Sequence, residues 1–144
     1  SSAASDVYKR QYVFIHDGAR PFINNEILQR AYDCVTECKA CIVGMPVKDT
    51  VKIADDRGYV ESTPPRSRVW QVQTPQVFET GLITQAYDEL IDREEELLAQ
   101  NVTITDDAML VERYTDVPVK MAMGAYTNIK ITTPEDMGIA AQYL

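Results

Sequence analysis

Apolar residues come in short blocks along this chain, and the spacing within the blocks switches between strand-like and helical. Tyr12-Val13-Phe14-Ile15 is a compact apolar run that stops abruptly at His16-Asp17, the pattern of a buried strand opening into a loop. Asn24 or Asn25 can cap a helix reaching about Glu37, with Ile27, Leu28, Ala31 and Val35 on one face. Cys41-Ile42-Val43-Gly44-Met45 is the next buried strand, stopped by Pro46. From Val47 to Val60 apolar and polar residues alternate around a turn at Asp55-Asp56-Arg57-Gly58, which predicts a hairpin arm (about residues 47–68) projecting from the main sheet. Val69 to Val72 returns as a strand that ends before Thr74-Pro75.

The second half is more helical. Leu82, Ala86, Leu90 and Ile91 form a helical face after Glu79, and Thr105-Asp106-Asp107 has the character of an N-cap followed by first-turn acids, opening a helix through Met109, Leu110 and Val111. Val117 to Met123 and Ile129 to Thr132 read as strands. Thr133-Pro134-Glu135-Asp136 is a strong helix start, predicting a helix from Glu135 to Leu144. Strands alternating with helices predict an α/β sandwich with a mostly parallel sheet. Ser1 to Gln11 has no hydrophobic period and reads as a non-native or disordered leader, leaving residues 12–144 as one partial domain.

With 144 residues and 45% hydrophobic content, one packed core is expected, and a net charge of −8 argues against a nucleic-acid binder. No apolar run approaches the ~20 residues of a membrane span. Cys34, Cys38 and Cys41 are expected to be free thiols, scattered by a helix-to-strand break near Lys39, and reduced cysteines fit a cytoplasmic setting. The run Asp92-Arg93-Glu94-Glu95-Glu96 reads as a solvated helix face.

Chemistry is expected where the strand-like runs end, because ligands bind at strand ends in open α/β sheets. Asp17 follows directly on the first strand, and a carboxylate there can hold Mg²⁺ bridging phosphates, although a loop aspartate capping its own turn would look the same. Arg20 can grip a phosphate with two N–H groups, or form a surface ion pair. His16 suits orienting the strand end, and Gly18 suits a tight turn or the close approach of a ligand. Thr74 can bond a phosphate or sugar hydroxyl, while the neighbouring Trp70 and Phe78 read as core. Lys130, inside an apolar run, is out of place unless its ammonium reaches a cleft. Lys48, Thr50 and Lys52 lie at the base of the arm, with Arg66 and Arg68 on its return. A two-stranded ribbon cannot bury its own apolar face, so the arm is expected to dock on a second copy, where its cations would reach the neighbour's site.

Taken together, His16-Asp-Gly-Ala-Arg-Pro21, Pro46-Val-Lys-Asp-Thr50, Arg66 with Trp70, Gln73-Thr-Pro-Gln76, Thr105-Asp-Asp-Ala108 and Asn128-Ile-Lys-Ile-Thr-Thr-Pro134 resemble the 2-C-methyl-D-erythritol 4-phosphate cytidylyltransferases of non-mevalonate isoprenoid synthesis. The resemblance implies a Rossmann-like nucleotidyltransferase sandwich of three layers, here truncated. It also implies transfer of CMP from CTP to the methylerythritol phosphate, with Mg²⁺ on the triphosphate. Carried over residue by residue, Asp17 and Gly18 lie beside the nucleotide, with Asp17 at the metal. Arg66 and Lys130 position the attacking phosphate, and Arg20, Thr50, Thr74 and Thr105 hold the sugar phosphate. The implied partners are CTP, a polyol phosphate and a second subunit exchanging the β-arm, in the cytoplasm or, in a plant or alga, the plastid stroma. The family's opening Gly-rich nucleotide loop has no counterpart here, which implies little or no activity for the chain by itself. Two other readings stay open: a ribitol-5-phosphate cytidylyltransferase, and a non-catalytic dimerising phosphate-binding module.

Overall fold

The computed structural model describes residues 11–144. The leader reading of Ser1 to Gln11 falls outside the described residues except for Gln11, whose carbonyl accepts from Thr80 N at 2.8 Å and Thr80 Oγ1 at 2.9 Å.

Four strands form the central sheet: β1 (Tyr12–Ile15), β2 (Ala40–Pro46), β5 (Trp70–Glu79) and β6 (Lys120–Met123), in the order β1-β5-β2-β6. β2 and β6 pair in parallel, and β5 runs antiparallel to both β1 and β2 between them. Three strands point one way, but β5 runs against them between β1 and β2. Two of the three pairings are therefore antiparallel, and the sheet is mixed where the alternating pattern predicts a mostly parallel one. The reversal of β5 follows from the arm: the chain leaves β2 at Pro46, turns in the hairpin and comes straight back alongside, with Val47 N bonded to Val69 O at 3.0 Å. The arm itself is a separate two-stranded sheet, β3 (Ile53–Ala54) and β4 (Val60–Ser62), around a turn with Gly58 at φ +85°.

Helices cover both faces, giving three layers. Helix α1 (Asn25–Cys38) starts at Asn24, whose side chain accepts from Ile27 N at 2.9 Å, and buries Ile27, Ala31 and Val35 at successive i, i+4 positions. They meet Cys41, Val43, Val77 and Ala122 on one face of the sheet. The alternate residues Ala40, Ile42 and Phe78 face the other side, against Ile83 and Ala86 of α2 (Thr80–Asp92) and Ala108, Leu110 and Val111 of α4 (Asp107–Tyr114). Short α3 (Glu94–Ala99) lies between these two helices in sequence, and α5 (Pro134–Ala140) follows the last loop.

Several boundaries differ from the periodicity. Thr74-Pro75-Gln76 lies within β5 rather than at a strand end, because the ladder is broken there and resumes. Ile129 to Thr132 forms no ladder: Ile131 N reaches Ala19 O at 2.8 Å, a single bond to a loop, and β6 starts only at Lys120. The face of α2 centres on Ile83 and Ala86, leaving Ile91 outward. The final helix stops at Ala140 and closes in a 3₁₀ turn, Ala141–Tyr143. Phe78 is core but Trp70 is only half-buried. The three cysteines are free but not scattered: Lys39, at φ +69°, folds β2 back along α1, which brings Cys41 near Cys34 and Cys38, close enough for the other two thiols to affect the ionisation of Cys34. Burial pushes the Cys34 and Cys41 thiols up, and Cys41 Sγ donates to Ala31 O at 3.4 Å. Among the described residues, no three His, Cys, Asp or Glu side chains are placed to hold a metal ion, and no helix is long and apolar enough to cross a membrane.

Two outcomes follow. A Cβ at Gly44 would stand 2.6 Å from Gln71 O, a backbone atom that cannot give way. Gly44→Ala is expected to cost about 1–3 kcal/mol, read as a lower urea midpoint at unchanged slope. Helix α5 begins with a reciprocal cap in which Thr133 Oγ1 accepts from Asp136 N and the Asp136 carboxylate accepts from Thr132 N and Thr133 N, both at 2.9 Å. These donors hold the Asp136 carboxyl below its ordinary value, so the cap is complete above that value and fades as the pH falls through the lowered one. NMR shifts of residues 134–140 should report this acid fraying, and in Asp136→Asn the fraying should already be present at neutral pH.

Candidate functional site

The cleft is built where β5 loses its regular pairing. Ile42 pairs with Gln76 and Gly44 with Val72, so Gln73-Thr74-Pro75 stands opposite the single residue Val43. Proline has no N–H to give a ladder, and a central strand can carry one only at such an irregularity. The Thr74–Pro75 bond is cis. Freed from regular pairing, the segment presents Thr74 to the loop that leaves β1, as bulges near sites commonly re-aim a side chain.

That loop is tied down atom by atom. Thr74 Oγ1 accepts from Asp17 N at 3.0 Å and lies 3.0 Å from His16 Nδ1. His16 Nε2 is 2.9 Å from Arg20 O, a carbonyl that can only accept, so Nε2 carries a proton and donates it there, leaving Nδ1 to the Thr74 hydroxyl. His16 is therefore a brace between strand and loop, as its sequence position implies. Arg20 N closes a turn on Asp17 O at 3.0 Å, and Asp17 Oδ1 accepts from Ala19 N at 3.0 Å. Gly18 within this turn has an ordinary φ, and a Cβ there would meet nothing within 4 Å, so the turn itself does not require glycine.

Lys130 reaches into the same place from the loop after β6. Its Nζ is 2.8 Å from Asp17 Oδ2, with half of the lysine side chain exposed. The Lys130 ammonium and the Ala19 N–H together hold the Asp17 carboxyl below the usual carboxylate range. Arg20 extends across the floor, donating Nη1 to Asn128 O at 2.7 Å, and burial pulls its guanidinium down from its ordinary value without discharging it. Asp17, Arg20, Thr74, Thr105 and Lys130 line one open cleft of about 520 Å³, and Asp106 and Asp107 close its far wall. Asp106 rather than Thr105 caps α4, accepting from Met109 N at 2.9 Å. Asp107 is bonded by the Tyr87 hydroxyl, whose pKa is thereby raised to about 12.

Five of the expected site residues thus converge, and Gly18 lies in the turn between Asp17 and Arg20. Thr50 and Arg66 do not join them within this chain. Both are exposed at the root of the arm, where Arg66 Nη1 donates to Lys48 O at 2.9 Å. Three amides that the sequence analysis quoted without assigning a role stand behind the cleft: Gln76, whose Oε1 accepts from Ala108 N at 3.0 Å and fixes the start of α4, and the buried Gln73 and Asn128. Periodicity gives no signal for them, since Gln73 and Gln76 stand in the mixed stretch Gln71-Val72-Gln73-Thr74-Pro75-Gln76 and Asn128 between Thr127 and Ile129. Only their burial in the fold singles them out.

The donor set suits a hard cation only in part. Asp17 is a single carboxylate with one oxygen facing Lys130, so it can offer one ligand to a cation held chiefly by substrate phosphates, which is the usual way Mg²⁺ is bound.

Comparison with known proteins agrees with this geometry. The sequence matches the family described as IspD, 2-C-methyl-D-erythritol 4-phosphate cytidylyltransferase, over residues 3–144. A 2-C-methyl-D-erythritol 4-phosphate cytidylyltransferase of Lachnospira eligens is 46% identical over 140 residues, 96% of this chain and 59% of its own length. One from Clostridioides difficile is 48% identical over 92% of this chain and 52% of its own length. The crystal structure of 4-diphosphocytidyl-2C-methyl-D-erythritol synthase from Anaerococcus prevotii superposes with a TM-score of 0.79 at 42% identity, covering 92% of this chain and 56% of that one. The chain thus spans between half and three-fifths of the length of these relatives, and within that span its sequence and its fold place it in the 2-C-methyl-D-erythritol 4-phosphate cytidylyltransferase family.

Proposed function

We propose that this chain carries the acceptor-phosphate side of a cytidylyltransferase that moves CMP from CTP to 2-C-methyl-D-erythritol 4-phosphate. The observation that carries the reading is the convergence of Lys130, Arg20, Thr74 and Thr105 on one cleft beside Asp17, in a chain whose net charge is −8. An acidic protein that gathers two cations and two hydroxyls at one point is suited to a small anion with hydroxyls of its own.

In the reaction, an oxygen of the acceptor phosphate bonds to the α-phosphorus of CTP and the α–β phosphoanhydride bond breaks, releasing pyrophosphate. A phosphate monoester is already nucleophilic at neutral pH, so the protein's work is placement and charge neutralisation. Lys130 exchanges its Asp17 partner for the incoming phosphate, Arg20 supports the same charge from the floor, and Thr74 and Thr105 offer hydroxyls to the polyol. Asp17, released from Lys130, is the residue that would hold Mg²⁺, which when bound offsets triphosphate charge. Thr50 and Arg66 act on a neighbouring subunit: the arm exposes Ile53, Tyr59 and Val60, an apolar strip that a second copy would cover. A nucleotide-dependent transferase with reduced thiols belongs in the cytoplasm.

Calorimetric titration with 2-C-methyl-D-erythritol 4-phosphate tests the reading. Saturable binding is expected, weakened about tenfold or more by Lys130→Ala and by Arg20→Ala, since each removes a charge-assisted bond. Absence of binding, or tighter binding of ribitol 5-phosphate, would overturn it. The arm is tested separately: sedimentation equilibrium should give a dimer, and Ile53→Asp with Val60→Asp should give a folded monomer. A wild-type monomer at micromolar concentration would remove the arm from the mechanism.

A further inference from the structure

Two buried amides form a relay beneath the cleft. Gln73 Nε2 donates to Ala125 O at 2.9 Å, Gln73 Oε1 accepts from Asn128 Nδ2 at 3.1 Å, and the same Nδ2 donates to Thr74 O at 2.9 Å. The orientation of both amides is dictated by their partners. Ala125 O and Thr74 O are carbonyls that only accept, so each must face an NH₂ group, and the Gln73 oxygen is left to take the second Asn128 proton. Asn128 is completely buried, and Gln73 nearly so. The relay fits only because residue 124 is glycine: a Cβ there would run into Gln73 Oε1 and come within 2.8 Å of Val43 Cγ1. Arg30 of α1 clamps the other flank of the same loop, donating to Met123 O at 2.7 Å and Gly124 O at 3.0 Å.

The relay reaches the cleft by three routes. Thr74, held through its carbonyl, uses its hydroxyl to fix Asp17 N and His16. Asn128 gives its own carbonyl to Arg20 Nη1. Lys130 is two residues beyond Asn128, and Ile131 N then ties that loop to Ala19 O. Thr74 is thus one hydrogen bond from the Asn128 side chain, Arg20 is bonded to the Asn128 main-chain carbonyl, and Lys130 follows two residues further along the same loop.

We propose that Gln73 and Asn128 are positioning residues for the acceptor phosphate, setting Arg20 and Lys130 at the separation that lets both cations engage one ligand. The inference rests on the reading of the cleft as a polyol-phosphate site. It differs from a purely structural role in what it makes these amides determine, which is affinity in the folded protein rather than stability alone.

The test compares near-isosteric variants in the same titration with 2-C-methyl-D-erythritol 4-phosphate, at a temperature where circular dichroism shows each to be folded. Asn128→Asp sets a carboxylate against two acceptors, and Gln73→Glu sets one against Ala125 O. Gln73→Met keeps the volume and removes the hydrogen bonds without adding charge. Each is expected to raise Kd about tenfold or more, the scale of one lost buried hydrogen bond, and to speed amide exchange at Asp17 and Ile131. Gln85→Glu, exposed on α2, is the control and should change neither. Where the charged variants do not fold, Gln73→Met decides. A folded variant with Kd within twofold of wild type overturns the positioning role while the reading of the site stands. Failure of the wild-type chain to bind overturns that reading, and the inference with it.

Discussion

Pro75 sits in β5, a strand with neighbours on both sides, and it has no N–H to give either of them. The rest of the site depends on how the fold accommodates that. Three residues of β5 take the space of one on β2, the ladder lapses, and the backbone groups it would have used need other partners. The Thr74 carbonyl finds Asn128, and the Thr74 hydroxyl finds Asp17 N and His16. A local failure of the sheet thus becomes the junction at which the loops after β1 and β6 meet. The strands on either side of it are packed through Val77 and Phe78 above and below the sheet, so the junction is held by a rigid frame.

The electrostatics follow the same economy. Without ligand, the Lys130 ammonium is answered by Asp17, while the Arg20 guanidinium gives its two terminal nitrogens to the Asn128 and Val72 carbonyls and keeps a buried Nε with no partner. The ion pair is partly solvated and contributes little to stability, which suits a contact that must be exchanged. Asp106 and Asp107 across the cleft are occupied differently, one capping α4 and the other bonded by Tyr87, so the acidic wall is spent on structure and does not compete for Lys130.

Much of this was legible in the sequence because it rests on local rules. Asn24 and Thr133 cap where a short polar side chain precedes an apolar period, and α1 buries the stripe that its spacing shows. Asp17 and Lys130 stood out as charges against the grain of apolar runs. What escaped was non-local. Nothing in Val72 to Gln76 tells a strand that ends at proline from one that lapses and resumes, since the difference lies in whether Val43 can face three residues at once. The Ile129 to Thr132 run has strand composition but, among the described residues, no neighbouring strand to pair with. The cysteines gather because Lys39 takes a left-handed conformation, which that residue type does not advertise.

The bonds that define the cleft have one further property: they join distant parts of the chain. Asp17 to Thr74 spans 57 residues, Asn128 to Gln73 spans 55, and Arg20 to Asn128 spans 108. Closing such loops costs chain entropy before any contact rewards it, as the pairings of β1 with β5 and of β2 with β6 also do, so the cleft closes together with the sheet. A half-folded chain, even with both helical layers formed, has the cations but not the cleft. Anion affinity is then a report on global closure rather than on any one element, and a ligand that binds only the closed form acts as a clasp on the whole domain.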